Sequence, residues 1–557
     1  MKRRRFIKSL TVSGGMIASN ASGISVWSSG LFSLENTKVH ESDVVIYGGT
    51  SGGFTAAVQL AKMGKKVVLL EPTGHIGGIN VEGLGASDID NHPEFQDSIA
   101  IGGLALAFYR RIARVYDRVD DFDKAVKNHE KNHSLWCFEP HAAEKVILDW
   151  LKEYRIDFHT FAALPESRRS VEIAGGRIAS ILTRKGKFKA RVFIDATIEG
   201  DLIAAAGIDY SVGREPNAEY GESRNGIIGY TTHSQFRVQV DPYKIPGDSK
   251  SGLIPTIQSG PLGVPGSGDH RLQAYCFRPC LTRDPQNRIP FERPSNYDRG
   301  QYEIYLRYLK AGGKLYRPSV NLPNGKVDLN GGGDLSHNLY GMNYEYPDGN
   351  RKARARVVAF HKEFTQGLFY FLSNDLSVRQ LNRELQEDWA SWGLAGDEFS
   401  DNHNWPRQLY VRDARRMKSD YVITELHARK EGGTAVEDPV AVTFWPPDLH
   451  NVRRIVVDDK AYNEGAVFGG NWWKPFGISY RSLVPKQGQC SNLLTPTCPS
   501  SSHIAYGAIR IEWTFMALGQ SVGTAAVLAL DHDIAVQQVD YRELKGRLLA
   551  DNQVLAI

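Results

Sequence analysis

The sequence predicts an α/β protein whose parallel-sheet domain is discontinuous in the chain, with a large α+β domain inserted between its parts. Three observations predict this. Residues 43–71 read as strand, glycine-rich turn, helix and strand. Residues 158–194 read as a run of short strands. Near the C-terminus, residues 492–530 return to strand and then helix.

The first segment is the most informative. Asp43 precedes the apolar run Val44-Val45-Ile46-Tyr47, and Gly48-Gly49-Thr50-Ser51-Gly52-Gly53 follows it. An Ala-rich amphipathic stretch covers 54–62, and Lys65 to Leu70 forms a second strand pattern that ends at Glu71. This is the Rossmann-like layout of a dinucleotide site. Glycines let the backbone approach a pyrophosphate, and the helix N-terminus offers it unpaired N–H groups. An acid at the end of the second strand can bond ribose hydroxyls. The structural alternative is a βαβ unit that holds no nucleotide. Gly74-His75-Ile76-Gly77-Gly78 continues the same domain.

Helical spacing follows over 102–115 and 139–151. Strand patterns cover 158–164 and 170–173, and Gly175-Gly176-Arg177 marks a hairpin turn. Segments 178–184 and 190–194 are expected to complete a β-meander. Residues 215–475 are rich in Pro, Gly, Asn, Tyr and Trp, with few periodic helices, and read as a substrate domain with long loops. The expected division is 1–35 for a signal and linker, 41–215 and 476–557 for the nucleotide domain, and 216–475 for the substrate domain.

Of the 557 residues, 41% are hydrophobic, and no apolar run stands out as a bilayer span. The net charge is +4, but Lys2, Arg3, Arg4, Arg5 and Lys8 all fall in the first eight residues, so the remainder carries about −1. Nothing in that balance suggests a nucleic-acid partner. Arg3-Arg4-Arg5-Phe6-Ile7-Lys8, followed by a weakly apolar Ser/Gly-rich stretch to about residue 34, resembles a twin-arginine export signal. The resemblance implies the twin-arginine export machinery as a partner and a periplasmic or otherwise exported location. A disordered basic tail is the plainer alternative. The five cysteines lack CxxC spacing, so dithiol, zinc and haem readings have no support and no metal is expected. Cys276 and Cys280 could pair in an oxidising compartment, with free buried thiols as the expected state for most of the five.

Two further segments carry a family resemblance. Phe193-Ile194-Asp195-Ala196-Thr197-Ile198-Glu199-Gly200-Asp201-Leu202 resembles the second flavin-contact motif of FAD-dependent oxidoreductases. Segments 480–485, 492–494 and 502–510, leading into Met516-Ala517-Leu518-Gly519-Gln520-Ser521-Val522-Gly523, are similar to the closing FAD-binding helix of a large bacterial FAD-dependent oxidoreductase family. Its members are often labelled automatically as xanthan lyases. The resemblance covers residues 42–530. It implies FAD as cofactor, with Gly48, Gly49, Ser51, Gly52 and Gly53 at the diphosphate and Glu71 at the adenosine ribose. Thr50 stands where the general pattern has a third glycine, so its backbone must fit near the pyrophosphate. Gly77 and Gly78 would pass the flavin side, Asp195 and Glu199 would make the second contact, and Gly519 and Gln520 would open the last helix towards the isoalloxazine.

The cofactor carries the hard chemistry. Gly331-Gly332-Gly333 follows a polar stretch and does not read as a second nucleotide site. The expectation is therefore an exported dehydrogenase or oxidase acting on a small polar substrate (a sugar, polyol, hydroxy or amino compound), with an electron acceptor outside the chain. Asp448-Leu449-His450 resembles an Asp-x-His segment of the family's substrate half: His450 would take a proton as hydride leaves, and Asp448 would orient it. His503, where the chain returns to the flavin, is the second candidate. Arg412, Arg415 and Arg416 could bind an anionic substrate or form an ion-paired face. His75 could attach FAD covalently. Trp405, Trp445, Trp472 and Trp473 could stack on sugars or fill a core. The rival functions are a redox-neutral FAD-dependent lyase or isomerase and a non-enzymatic flavin-containing binding protein.

Overall fold

In the computed structural model, Val44–Tyr47 is the central strand of a five-stranded parallel sheet. Val67–Leu70 lies on one side and Val192–Asp195 on the other, with Tyr47 opposite both Leu70 and Asp195. Asp157–His159 and Leu493–Leu494 close the two edges. All three inner strands are buried along their whole length. A sheet covered on both faces explains why their sequences read as continuous apolar runs rather than alternating ones. The structure describes residues 38–166, 170–231 and 233–557; the expected export signal lies outside them.

Helix Ser51–Lys62 crosses between the first two strands. Thr50 caps it, its hydroxyl accepting from Gly53 N at 3.4 Å. Against it lies the closing helix Glu512–Asp531. The crossing is backbone to backbone: a Cβ on Gly519 would stand 2.3 Å from Gly52 O and 2.1 Å from Thr55 Oγ1. Among the described residues this one helix is long and apolar enough to cross a membrane, and it is wholly buried in the protein. Its apolarity is that of a core element.

The meander consists of Val171–Ala174, Arg177–Thr183 and Gly186–Lys189, with Val39–Glu41 parallel to the last. Gly175 and Gly176 turn the hairpin at φ 57° and 71°, as a two-residue turn with both centres left-handed demands. The expected segment 190–194 belongs instead to the parallel sheet, as Val192–Asp195. Its unbroken apolar run fits a doubly covered strand, whereas Gly186-Lys187-Phe188-Lys189 alternates and fits the meander.

The segment 216–475 holds a helix that the composition conceals. Arg351–Asn374 runs 24 residues, followed by Leu376–Leu381 and Arg383–Ser391. It opens on Arg351-Lys352-Ala353-Arg354-Ala355-Arg356 and carries Gly367, which blurs the apolar period. Asn350 caps it, accepting from Ala353 N at 2.9 Å. Its buried face, including Phe364, Leu368 and Leu372, joins Tyr305, Tyr308, Trp389 and Trp405 in a second core. Ile423, Ala428, Val440, Trp445, Trp473 and Phe476 pack instead into the core of the closing helix. The segment thus feeds both cores. Trp405, Trp445 and Trp473 are buried within them, and half-buried Trp472 stacks under Arg224 at 4.5 Å. All five cysteines are buried free thiols, so Cys276 and Cys280 are not paired.

Candidate active site

The glycine loop is set by close approach. Gly48 has φ 110°, and a Cβ there would stand 2.5 Å from the Ala196 carbonyl carbon and the Thr197 nitrogen. A Cβ on Gly52 would stand 2.7 Å from Pro496 Cγ. Gly49 N donates to Glu71 Oε2 at 2.7 Å, and Thr73 N donates to the other carboxylate oxygen at 2.6 Å. Glu71 is thereby fixed at the end of its strand, and burial raises its pKa. Gly77, at φ 137°, donates to Gly49 O at 2.6 Å. Gly78 follows at φ 59°, where a Cβ would lie 3.2 Å from Thr50 Cα. Thr50 donates its hydroxyl to Ala196 O at 2.6 Å. The residue in the third-glycine position is therefore a helix cap that also ties the loop to the neighbouring strand end.

A cavity of about 260 Å³ runs along this loop. Glu71, Thr73, Gly48, Thr50 and Gly78 line it, together with Tyr410, Arg412, Tyr506, Arg510 and Glu512. Glu199 also lines it, accepting from Tyr346 OH at 3.1 Å. Asp195 does not. Its carboxylate holds its own turn, accepting from Thr197 N at 3.0 Å, Thr197 Oγ1 at 2.7 Å and Ile203 N at 2.8 Å. Burial pushes it up to about 6. Gly519 and Gln520 also lie away from the cavity: Gly519 makes the helix crossing, and Gln520 Oε1 accepts from Leu104 N at 2.6 Å. The closing helix reaches the cavity through its first turn, with Glu512 and Phe515.

The arginines divide. Arg415 pairs with Asp201 and Asp348, both at 2.9 Å, and Arg416 with Asp413 at 2.7 Å and Glu215 at 2.8 Å. Neither lines the cavity. Arg412 does, donating to Asn338 Oδ1 at 3.1 Å, Asn330 Oδ1 at 3.0 Å and Cys276 Sγ at 3.3 Å. Burial opposes ionisation of that thiol, but Arg412 and His337 outweigh it and bring it down to about 6. Tyr410 stands between cations. Arg412 lies 4.7 Å and Arg278 5.2 Å from its ring centroid, and Arg510 Nη1 donates to its hydroxyl at 3.0 Å.

Asp448 and His450 do not form the expected pair. Asp448 Oδ2 accepts from Arg510 Nη2 at 3.3 Å. His450 Nδ1 lies 3.3 Å from Asn338 Nδ2, an amide whose oxygen is turned towards Arg412. Burial, and then Arg412 and Arg510, push His450 well below the ordinary imidazole range. His503 does have an acid: its Nδ1 lies 2.6 Å from Asp413 Oδ2. Its Nε2 is buried without a partner. His75 bonds Glu144 and Asp401 and does not line the cavity, which leaves covalent attachment there without geometric support. Among the described residues two acid and histidine groups have metal-like spacing, one of them Glu139, His141 and Glu398. There Lys326 Nζ takes a cation's place, 2.6 Å from Glu139 and 2.9 Å from Glu398.

The sequence does not single out Tyr410, Arg510, Glu512 and Cys276 as residues of the site. Arg510 and Glu512 had a signal: they interrupt the apolar approach to the closing helix at Ile509-Arg510-Ile511-Glu512.

The first-turn amides of helix Ser51–Lys62 have no intrahelical acceptors, a standing site for a diphosphate. Glu71 keeps lone pairs for ribose hydroxyls, and the glycine loop admits a close backbone approach. These residues fit FAD, and together with the split parallel sheet they define an FAD-binding oxidoreductase of Rossmann-like fold. A family model described as FAD dependent oxidoreductase matches residues 43–548, and the chain belongs to that family. FAD is its cofactor. No curated protein sequence matches it significantly. Among solved structures, L-proline dehydrogenase from P. horikoshii is similar at 17% identity over 32% of this chain and 59% of that one, with a TM-score of 0.24. L-amino acid deaminase from Proteus vulgaris is similar at 17% identity over 33% and 54%, TM-score 0.24. Thioredoxin reductase from T. acidophilum is similar at 19% identity over 32% and 40%, TM-score 0.17. The chain spans less than two thirds of each of these proteins.

Proposed function

We propose that the protein dehydrogenates a small polar substrate, a sugar, polyol, hydroxy or amino compound, and does so after export to the periplasm. The observation that carries the catalytic reading is the polar cluster in the cavity lining, where Arg412 and Arg510 both meet Tyr410. When bound, FAD supplies the hydride acceptor. Arg412 and Arg510 orient oxygen atoms of the substrate. A neutral histidine takes the proton that leaves with the hydride.

Neither His450 nor His503 lines the cavity, and of the two His503 suits that role better. His503 donates its Nδ1–H to Asp413, which leaves the Nε2 lone pair free. His503 also lies three residues from Tyr506 on helix His503–Ile509, so the two share a face, and Tyr506 lines the cavity. In His450 the Asn338 amide already uses the Nδ1 lone pair. The Arg3-Arg4 pair, through its likeness to a twin-arginine signal, is what supports export. An Arg3→Lys, Arg4→Lys double variant should then accumulate in the cytoplasm.

The test is anaerobic mixing of the yellow protein with sugars, polyols, hydroxy acids and amines. A substrate should bleach the visible flavin band, and colour should return only on adding an electron acceptor. Return of oxidised flavin without an acceptor would replace this reading with a redox-neutral lyase or isomerase.

A further inference from the structure

Glu512 opens the closing helix, and its carboxyl is buried where that helix meets the start of helix Ser51–Lys62. Ser51 Oγ donates to Glu512 Oε2. Asn80 Nδ2 lies 2.6 Å from Ser51 Oγ and 3.4 Å from the same carboxylate oxygen. Glu512 lines the cavity together with Gly48 and Thr50. The acid is thus one hydrogen bond away from the first residue of the helix whose N-terminus holds the diphosphate.

An ionised carboxylate there would face a second anion in a buried site, and like charges so placed do not both ionise without cost. The charged and titratable groups around it are Arg510 on its own segment, Tyr506 from helix His503–Ile509, Tyr410 and Asp88 from adjoining loops, Tyr109 from helix Gly103–Val115, and Arg278. Both arginines are engaged elsewhere: Arg278 binds Asp328 through two nitrogens, and Arg510 binds Tyr410 and Asp448. Among the described residues no lysine or arginine forms an ion pair with Glu512. Burial pushes its carboxyl up to about 7 before any anion arrives, although the hydrogen bonds from Ser51 and Asn80 and the charges of Arg278 and Arg510 pull the other way.

We propose that Glu512 holds FAD as a neutral carboxylic acid, so that cofactor binding takes up a proton. The proton comes from solvent and stays on the Glu512 carboxyl, where it is donated to the anionic cofactor. No electron moves in this step, and it is independent of the substrate.

The opposite arrangement is an ionised Glu512 that accepts from a cofactor hydroxyl. The two differ in sign. Protein freed of FAD, with its fold checked by circular dichroism, is titrated with FAD from about pH 6 to about pH 8.5, following flavin fluorescence. For a neutral Glu512 the dissociation constant should rise with pH, approaching tenfold per unit above about pH 7. Glu512→Gln, neutral at every pH, should bind FAD with a flat profile and more tightly than the wild type at the alkaline end. An indicator dye in weak buffer should register uptake of up to about one proton per FAD at the alkaline end. A wild-type affinity that is flat or rises with pH would overturn the proposal. So would Glu512→Gln weakening FAD at every pH while Glu512→Asp retains it. If Glu512→Gln does not fold, the sign of the wild-type proton uptake decides alone.

Discussion

A Cβ on Gly53 would stand 1.9 Å from the carbonyl oxygen of Gly48, the residue that follows the central strand. No rotamer relieves that contact, because both partners are backbone. Gly53→Ala should therefore lever helix Ser51–Lys62 off the strand and spoil its N-terminus as an anion site. The expected result is loss of bound FAD and a destabilisation of roughly 1–3 kcal/mol, read as flavin content and melting temperature. Gly546→Ala, inside helix Tyr541–Ala550 where a Cβ would meet nothing within 4 Å, is the control: it should keep the flavin and raise the melting temperature slightly. Full yellow occupancy in Gly53→Ala would mean that the loop geometry is not what admits the cofactor.

Much of this domain could be read from the sequence because local and long-range demands coincide there. Val44 to Glu71 states its strand, turn, helix and strand in residues that only that packing satisfies. The site beyond the loop was less legible. Gly519 and Gln520 match a cofactor motif, yet the structure uses them to pack helix on helix and to cap Leu104 N. A small residue in a helix carries the same sequence signal whether it admits a ligand or a neighbouring backbone. Asp448 and His450 sit two apart, but their partners, Arg510 and Asn338, come from distant segments, and no local spacing encodes that. Tyr410 reads as an ordinary loop tyrosine until Arg278, Arg412 and Arg510 are folded around it.

Glu222 predicts a pH dependence of stability. Burial, reinforced by Glu215 and Glu425, pushes its carboxyl up to about 7, although Ser502 and Glu425 N donate to it. Its folded value lies above the unfolded one, so the folded state binds more protons between about pH 4.5 and about pH 7, and stability falls as pH rises through that window. Glu222→Gln keeps the accepting oxygen and removes the titration. It should match the wild type near pH 4.5 and exceed it by roughly 1–3 kcal/mol near pH 8. Denaturant midpoints at the two pH values measure this, and equal differences at both would disprove it.

Cys276 should be the thiol that ionises in the neutral range. Burial holds Cys280, Cys490 and Cys498 above their ordinary value and takes Cys137 up to about 12, whereas Arg412 and His337 bring Cys276 down to about 6. Thiolate absorbance in the far ultraviolet should therefore rise by one cysteine equivalent as pH passes about 6. The step should vanish in Cys276→Ser and move upward in Arg412→Met, which removes the cation 3.3 Å away. A step that survives in Cys276→Ser would assign the ionisation elsewhere.

The last prediction separates the two histidines. His503 and Asp413 are both buried, and the short contact between them fixes the ring with its proton on Nδ1, donated to the acid. If His503 takes the substrate proton, His503→Ala should retain FAD and slow flavin reduction by roughly 10²–10⁴. Asp413→Asn is the sharper test. An amide there can donate to Nδ1, which moves the ring proton to Nε2 and removes the lone pair that the reaction needs, so the loss should approach that of His503→Ala. Arg416 would keep Glu215 at 2.8 Å, so the neighbouring ion pair survives the change. His450→Ala should have the smaller effect, because Asn338 already occupies its Nδ1 and Asp448 is bonded to Arg510 instead. Single-turnover reduction of each variant under anaerobic conditions reads all three. If His450→Ala proves the slower enzyme, the proton acceptor lies on the Arg412 side of the cavity, and the His503–Asp413 pair is a buried structural contact.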